Sequence, residues 1–320
     1  MNKMSGRQHL LSTIAEKLGS LREQAAEEHS NQELVYAAQA DYFAKAASAM
    51  ERGEPIAWLN FGPAPELFWA MDIVWDLVSF LEEKTKRKLD LDRLKEVASY
   101  SSKAHEYIIK YNELRQAIPC PLSGKDLLAD RSTFRRMAGT PTLVDYARSR
   151  YELAEQRVSK QLGTVPEEKI RLIWVYAMPS DLRLYDWLEE ELGAVSIMEM
   201  MSNFAMAPIE DPSDISSIFR GLSGKIMNMP MGKECRGPWE YFGDTAVRMC
   251  RDYRPDAAVY AGHVACKNAW AISKLIKDRI EDELNLPVLL FEVDIFDPRI
   301  TSLEDMKARL QDFFEIRLHR

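Results

Sequence analysis

From residue 5 to 52, apolar positions recur every three or four residues among Glu, Gln, Ala and Lys, without proline and with few glycines. That period predicts helix. At "GEPIAWLNFGPAPELFWAMDIV" the pattern changes. "IAWLNF" is a short apolar run that predicts a buried strand, and "GPAPEL" is a turn into a helix with Pro65 in its first turn. Past Val74 the helical period resumes in "WDLVSFLEEKTKRKLDLDRLKEVASYSSKAHEYIIKYNELRQAI", so residues 76 to 118 are expected to form long helices. "PCPLSGKDLLAD" breaks the run, and helix returns through about residue 162.

The second half alternates. "KIRLIWVYAM", "AVSIMEMM", "DAAVYAGHV" and "PVLLFEVD" are strand-like. Between and after them run the helical segments "SDLRLYDWLEEELG", "WEYFGDTAVRMCRDY", "KNAWAISKLIKDRIEDEL" and "SLEDMKARLQDFFEIRL". Ser180 is the expected N-cap of the first of these and Gly193 its end. Ser302 and Asp305 have capping-box spacing at the start of the last. The stretch "APIEDPSDISSIFRGLSGKIMNMPMGKECRGP" reads as irregular. Strands alternating with helices mean right-handed crossovers and a mostly parallel sheet. The expected fold is α/β: a doubly wound, flavodoxin-like parallel-sheet domain in the C-terminal half, preceded by a largely helical N-terminal half. The expected divisions are residues 1–75, a helical region at 76–165, and the α/β domain at 166–320. Its four strands would contain Leu172 to Tyr176, Val195 to Met198, Ala257 to Ala261 and Val288 to Val293.

The 320 residues carry a net charge of -8, with no basic footprint for nucleic acid. No apolar run approaches membrane-spanning length, and "MNKMSGRQHLLSTIAEKLG" is too polar for a secretory h-region. The four cysteines, Cys120, Cys235, Cys250 and Cys266, do not form a disulfide framework in a chain this long. A reducing cytoplasm is the expected compartment, where thiols stay free.

Cys266 stands where the strand "DAAVYAGHV" meets the next helix. Open α/β sheets place ligands at such carboxyl ends, and a helix N-terminus favours thiolate. A small buried residue at a tight junction is the competing reading. His263, three residues earlier, makes a lone H-x-x-C, a weak metal signal because zinc sites show paired ligands twice over. Cys250 lies inside a helical segment and reads as core; Cys120 stands between prolines and reads as structural; Cys235, in a loop, is open. Glu292, Asp294, Asp297 and Arg299 follow the last strand, where acids hold a metal or ribose or, more commonly, cap turns and pair with a nearby arginine. G-x-G-x-x-G, the P-loop and G-x-S-x-G do not occur, and "GLSGK" at 221–225 lacks the phosphate-loop order.

Together these segments resemble the 2-hydroxyacyl-CoA dehydratase and benzoyl-CoA reductase superfamily. The most specific match runs from "PDAAVYAGHVACKNAW" through "LPVLLFEVDIFDPRITSLEDMKARLQDFFE", with the Cys-Lys at a helix start and the P-x-L-x-x-E-x-D-x-x-D-x-R pattern. "KLDLDRLKEVASYSSKAHEYIIKYNELRQAIPCPLSGKDLL" is similar to the family's inter-domain helices, and "GEPIAWLNFGPAPELFWAMDIV" to its first strand and P-E-L helix. The family has most of an α/β domain, with two cluster cysteines, between the A-M-D-I-V and L-E-E segments; here Trp75 follows Val74 directly.

The resemblance implies a subunit acting on an acyl-CoA substrate by one-electron, ketyl-radical chemistry in anaerobic metabolism. It implies a [4Fe–4S] cluster with Cys266 as a thiolate ligand, a homologous second subunit, and an ATP-dependent activator protein. Glu66 is the candidate for a polar group near substrate, against the plainer reading of an acid favoured by a helix dipole. His263 is a candidate for the surroundings of the cluster. Two alternatives stand: a benzoyl-CoA reductase-type subunit, or a non-catalytic partner subunit without a complete cluster site.

Overall fold

The computed structural model describes residues 6–27, 32–52, 73–204, 209–230, 232–235, 238–294, 297 and 299–319. These fall into two compact units that do not follow chain order. One draws on Met1–Glu106, Ala129–Arg148 and Met206–Met227; the other on Tyr107–Leu128, Ser149–Ala205 and Asn228–Arg320. The expected strand "IAWLNF" and the candidate Glu66 lie outside the described residues.

The amino-terminal half is helical, and the division between the units falls inside three of its helices: Tyr107–Leu128 and the residues from Ser149 on belong to the second unit. α1 (Gly6–Glu27) and α2 (Gln32–Glu51) pack along each other. α3 (Ile73–Thr85) is separated from α4 (Leu91–Leu114) by a break at Asp90, whose carboxylate accepts the Arg93 N–H at 2.9 Å and caps the new helix. α5 (Gly124–Met137) ends at Gly139, whose φ of +77° only glycine adopts without strain. α6 (Pro141–Ser159) begins just beyond, with the Thr140 hydroxyl accepting from the Leu143 N–H.

The second unit is built on four parallel strands in the order β2-β1-β3-β4. They are β1 (Ile170–Trp174), β2 (Ala194–Glu199), β3 (Ala257–His263) and β4 (Val288–Val293). Every residue of β1 and β2 is buried, as a parallel sheet covered on both faces requires. α7 (Leu182–Asp186) runs on into a π-helical turn (Trp187–Glu191), and Gly193 turns the chain into β2 at φ +62°. Asp181, not Ser180, caps α7, because its carboxylate reaches the Arg183 N–H.

The stretch from Ala207 to Pro238 is not wholly irregular. It contains α8 (Ile215–Met227), which belongs to the first unit, and the four-residue α9 (Gly232–Cys235), so Cys235 ends a short helix rather than lying in a loop. Asp214 starts α8 by accepting the Ser217 N–H at 2.8 Å. The alternating half continues with α10 (Trp239–Tyr253), α11 (Lys267–Leu284) and α12 (Leu303–Phe313), the last opened by the Ser302–Asp305 capping box. Of α12's apolar stripe, Met306, Leu310 and Phe313 are buried.

Candidate functional site

The chain leaves β1 toward β2 on one side and enters β3 and β4 on the other, so strand order reverses between β1 and β3. Ligand crevices of doubly wound sheets open at that switch point, beyond the carboxyl ends. Here the ends are Val175–Met178 after β1 and His263–Cys266 after β3. The Val175 N–H donates to the Val259 carbonyl at 2.9 Å, carrying the β1–β3 ladder one residue past β1 while β3 runs on to His263. Beneath them Tyr176 stacks on Tyr260, centroids 5.2 Å apart and planes 11° apart, with Phe242 tilted against both.

Cys266 is the N-cap residue of α11, extended at φ -96°, ψ 90°. Its N–H donates to the His263 carbonyl at 2.9 Å, and its carbonyl accepts the Trp270 N–H at 3.1 Å. The side chain is half-buried and packs against the rim of the apolar core. Two contacts fix the helix start below it: the Tyr260 hydroxyl donates to the Ala269 carbonyl at 2.7 Å, and Gly262 lets the Trp270 ring press on the strand. The Trp270 indole Nε1 is buried there without a hydrogen-bond partner.

His263 Nδ1 stands 3.8 Å from Asp294 Oδ1, across the ends of β3 and β4, too far for a hydrogen bond. Asp294 and Asp297 take the plainer of the two readings. Asp294 accepts the Asp297 N–H, and Asp297 pairs with Arg299, which keeps the Asp297 carboxyl below its usual range.

Two buried acids carry no clear signal of their place in the sequence. Glu199 ends β2, fully buried; its carboxylate accepts the Ser202 hydroxyl at 2.6 Å and the Met178 N–H at 3.3 Å, tying the loop beyond β1 to the end of β2. Glu189, on the π-helical turn, is the other, and it faces the start of α5 rather than the switch point. A glutamate inside the apolar run "SIMEMM" was the available hint of Glu199. A surface depression lined in part by Lys169, Leu192 and Phe314 lies at the amino-terminal end of β1, the opposite edge of the sheet, away from Cys266 and His263.

A sequence profile described as 2-hydroxyglutaryl-CoA dehydratase, D-component, matches residues 25–316. The chain belongs to this family. It is also 22% identical to one of the subunits of benzoyl-CoA reductase from Thauera aromatica over 255 residues, which is 75% of this chain and 57% of that relative's length. No helix among the described residues is long and apolar enough to cross a membrane.

The cysteines test whether the family's cluster fits. Cys120 is fully buried, its Sγ hydrogen-bonded to the Leu122 carbonyl, and burial raises its thiol pKa. Cys250 is buried on α10, and burial pushes its thiol up to about 12. Both are packed within the apolar core. Cys235 and Cys266 remain, fewer than the three thiolates that the family resemblance implies. Among the described residues no group of three His, Cys, Asp or Glu side chains converges on a metal position. The described residues do not by themselves make up the ligand set of a [4Fe–4S] cluster.

Proposed function

We propose that this chain is a subunit of a dehydratase- or reductase-type assembly that handles a CoA thioester at the carboxyl ends of β1 and β3. The observation that carries the reading is the placement of Cys266. It is half-buried at the N-cap of α11, beside the switch point, within the best-matched segment of the family resemblance. His263 and Glu199 stand at the ends of their strands; Glu66, which lies outside the described residues, stays a candidate for a polar group near substrate.

The cysteine inventory favours the partner-subunit form of this reading. With two of four thiols locked in the core, the cluster, the one-electron chemistry, the ATP-dependent activator and the homologous second subunit belong to the assembly in a cytoplasmic setting. This chain's own residues shape the crevice, exclude water from it with the Tyr176–Tyr260–Phe242 floor, and present one thiol.

Two measurements on the full chain test this. Calorimetric titration with 2-hydroxyglutaryl-CoA and benzoyl-CoA should show binding that free coenzyme A does not match; no binding of either thioester would sink the reading. Anaerobic reconstitution with iron and sulfide should leave the isolated chain with less than one cluster's iron. Four irons per chain, lost on Cys266→Ser, would overturn the partner-subunit form and establish a complete site.

A further inference from the structure

The "GLSGK" segment has no phosphate-loop order, yet its lysine occupies an unusual position. In the first unit, Lys225 near the end of α8 turns its amine onto α4, where it donates to the Ser101 hydroxyl. Ser101 is buried, and Lys225 is mostly so, with part of its side chain still reaching solvent. One helical turn beyond Ser101, the His105 imidazole is hydrogen-bonded to the Ser101 backbone. No carboxylate among the described residues pairs with Lys225; the neighbouring groups are a neutral hydroxyl and an imidazole. An ammonium drawn from water without a counter-charge is costly, and a lysine relieves that cost by giving up its proton.

We propose that Lys225 is a site of covalent acylation by acyl thioesters. This rests in part on the reading that the chain meets CoA thioesters. The free amine attacks the thioester carbonyl carbon; a C–N bond forms, the C–S bond breaks, and the thiolate leaves with the proton the amine gives up. The product amide is neutral, so acylation abolishes the uncompensated charge, and its N–H keeps a donor for Ser101. Burial lowers Lys225 to about 8, with desolvation the cause, so about half the amine is neutral at pH 8. An ordinary lysine near about 10.4 is neutral in well under roughly one part in a hundred there. The exposed lysines Lys45 and Lys84 instead pair with the carboxylates of Asp41 and Glu83.

The test incubates the full chain at pH 8 with S-acetyl-N-acetylcysteamine, a thioester without the nucleotide, and in parallel with acetyl-CoA. Peptide mass spectrometry follows each lysine with time. The truncated thioester should acetylate Lys225 about tenfold faster than Lys45, a fraction of the difference in neutral amine because burial slows access. Lys225 reacting no faster than Lys45 with the truncated thioester would overturn the proposal. Preferential labelling by that thioester supports it even if coenzyme A esters fail to bind; such a failure would count against the CoA-thioester function alone. Lys225→Arg, which keeps a cation on α8, should remove the fast-labelling peptide and leave the other lysines unchanged. Persistence of that peptide's label would overturn the assignment.

Discussion

The Glu189 carboxylate accepts the backbone N–H of Gly124 at 2.7 Å, and the Ser123 hydroxyl donates to it as well. A buried acid from the turn after α7 thereby closes the start of α5, where free N–H groups favour an anion. Burial nonetheless dominates, and raises the Glu189 pKa above its ordinary value. The native state therefore binds this proton more readily than the unfolded chain. That contribution to stability is fully present below the unfolded value of 4.5 and is lost as pH rises through the raised native value. Glu189→Gln should flatten this decline when urea midpoints are compared at pH 4.5 and 7. Glu189→Ala should cost about 1–3 kcal/mol at pH 7, because it strands a buried donor. Equal pH slopes in wild type and Glu189→Gln would refute the assignment.

His105 gives the opposite slope. Burial, helped by the Lys225 charge, lowers its pKa from 6.5 to about 3. The unfolded chain then takes up a proton that the native state refuses, so stability is present above pH 6.5 and drains away as pH falls toward 3. The full swing is on the order of a few kcal/mol. His105→Leu should remove most of the acid sensitivity between pH 6.5 and 4, measured by thermal melts across that range. A variant melting curve that tracks the wild type over the same interval would count against a buried neutral imidazole.

The sheet was legible because its strands are unbroken apolar runs between turn residues; each of the four expected strands lies within a residue or two of the observed one. The Ser302–Asp305 cap was legible because both partners lie within four residues. α8 was missed although Ile215, Ile218, Phe219 and Leu222 carry a helical period; the flanking prolines and internal glycines outweighed it. The Glu189–Gly124 bond joins groups 65 residues apart, and no local pattern encodes it. Of the candidate site, the Cys266 junction could be read because a strand end and a helix start are both local signals. Which groups face it across the switch point is set by strand order, and Glu199 enters only there.

Gly262 carries a steric prediction. A Cβ at this position would lie 2.9 Å from two atoms of the Trp270 ring, well inside contact distance. The ring cannot retreat freely, because its helix turn is tied down by Tyr260 at Ala269. Gly262→Ala should therefore destabilise the fold by about 1–3 kcal/mol, as overpacking does. It should also push the first turn of α11 outward and raise the alkylation rate of Cys266. A variant as stable as wild type with an unchanged Cys266 rate would show that the strand and helix yield there.

The three described thiols sit in environments that should separate them by reactivity and by cost of replacement. Cys120 and Cys250 are buried with raised thiol pKa values, so both thiolate and access are scarce. Cys266 is half-buried at a helix mouth. Under native conditions iodoacetamide should alkylate Cys266 and leave Cys120 and Cys250 unmodified, with peptide mapping assigning each site. Replacement with serine should follow the same order. Cys250→Ser introduces a hydroxyl into an apolar interior and should cost about 1–3 kcal/mol. Cys266→Ser keeps a half-exposed position polar and should stay within about 1 kcal/mol of wild type. If Cys266→Ser instead unfolds the chain, the residue is a packing element of the strand–helix junction. Its place at the switch point would then reflect the junction's tightness, and the thioester reading would have to stand without it.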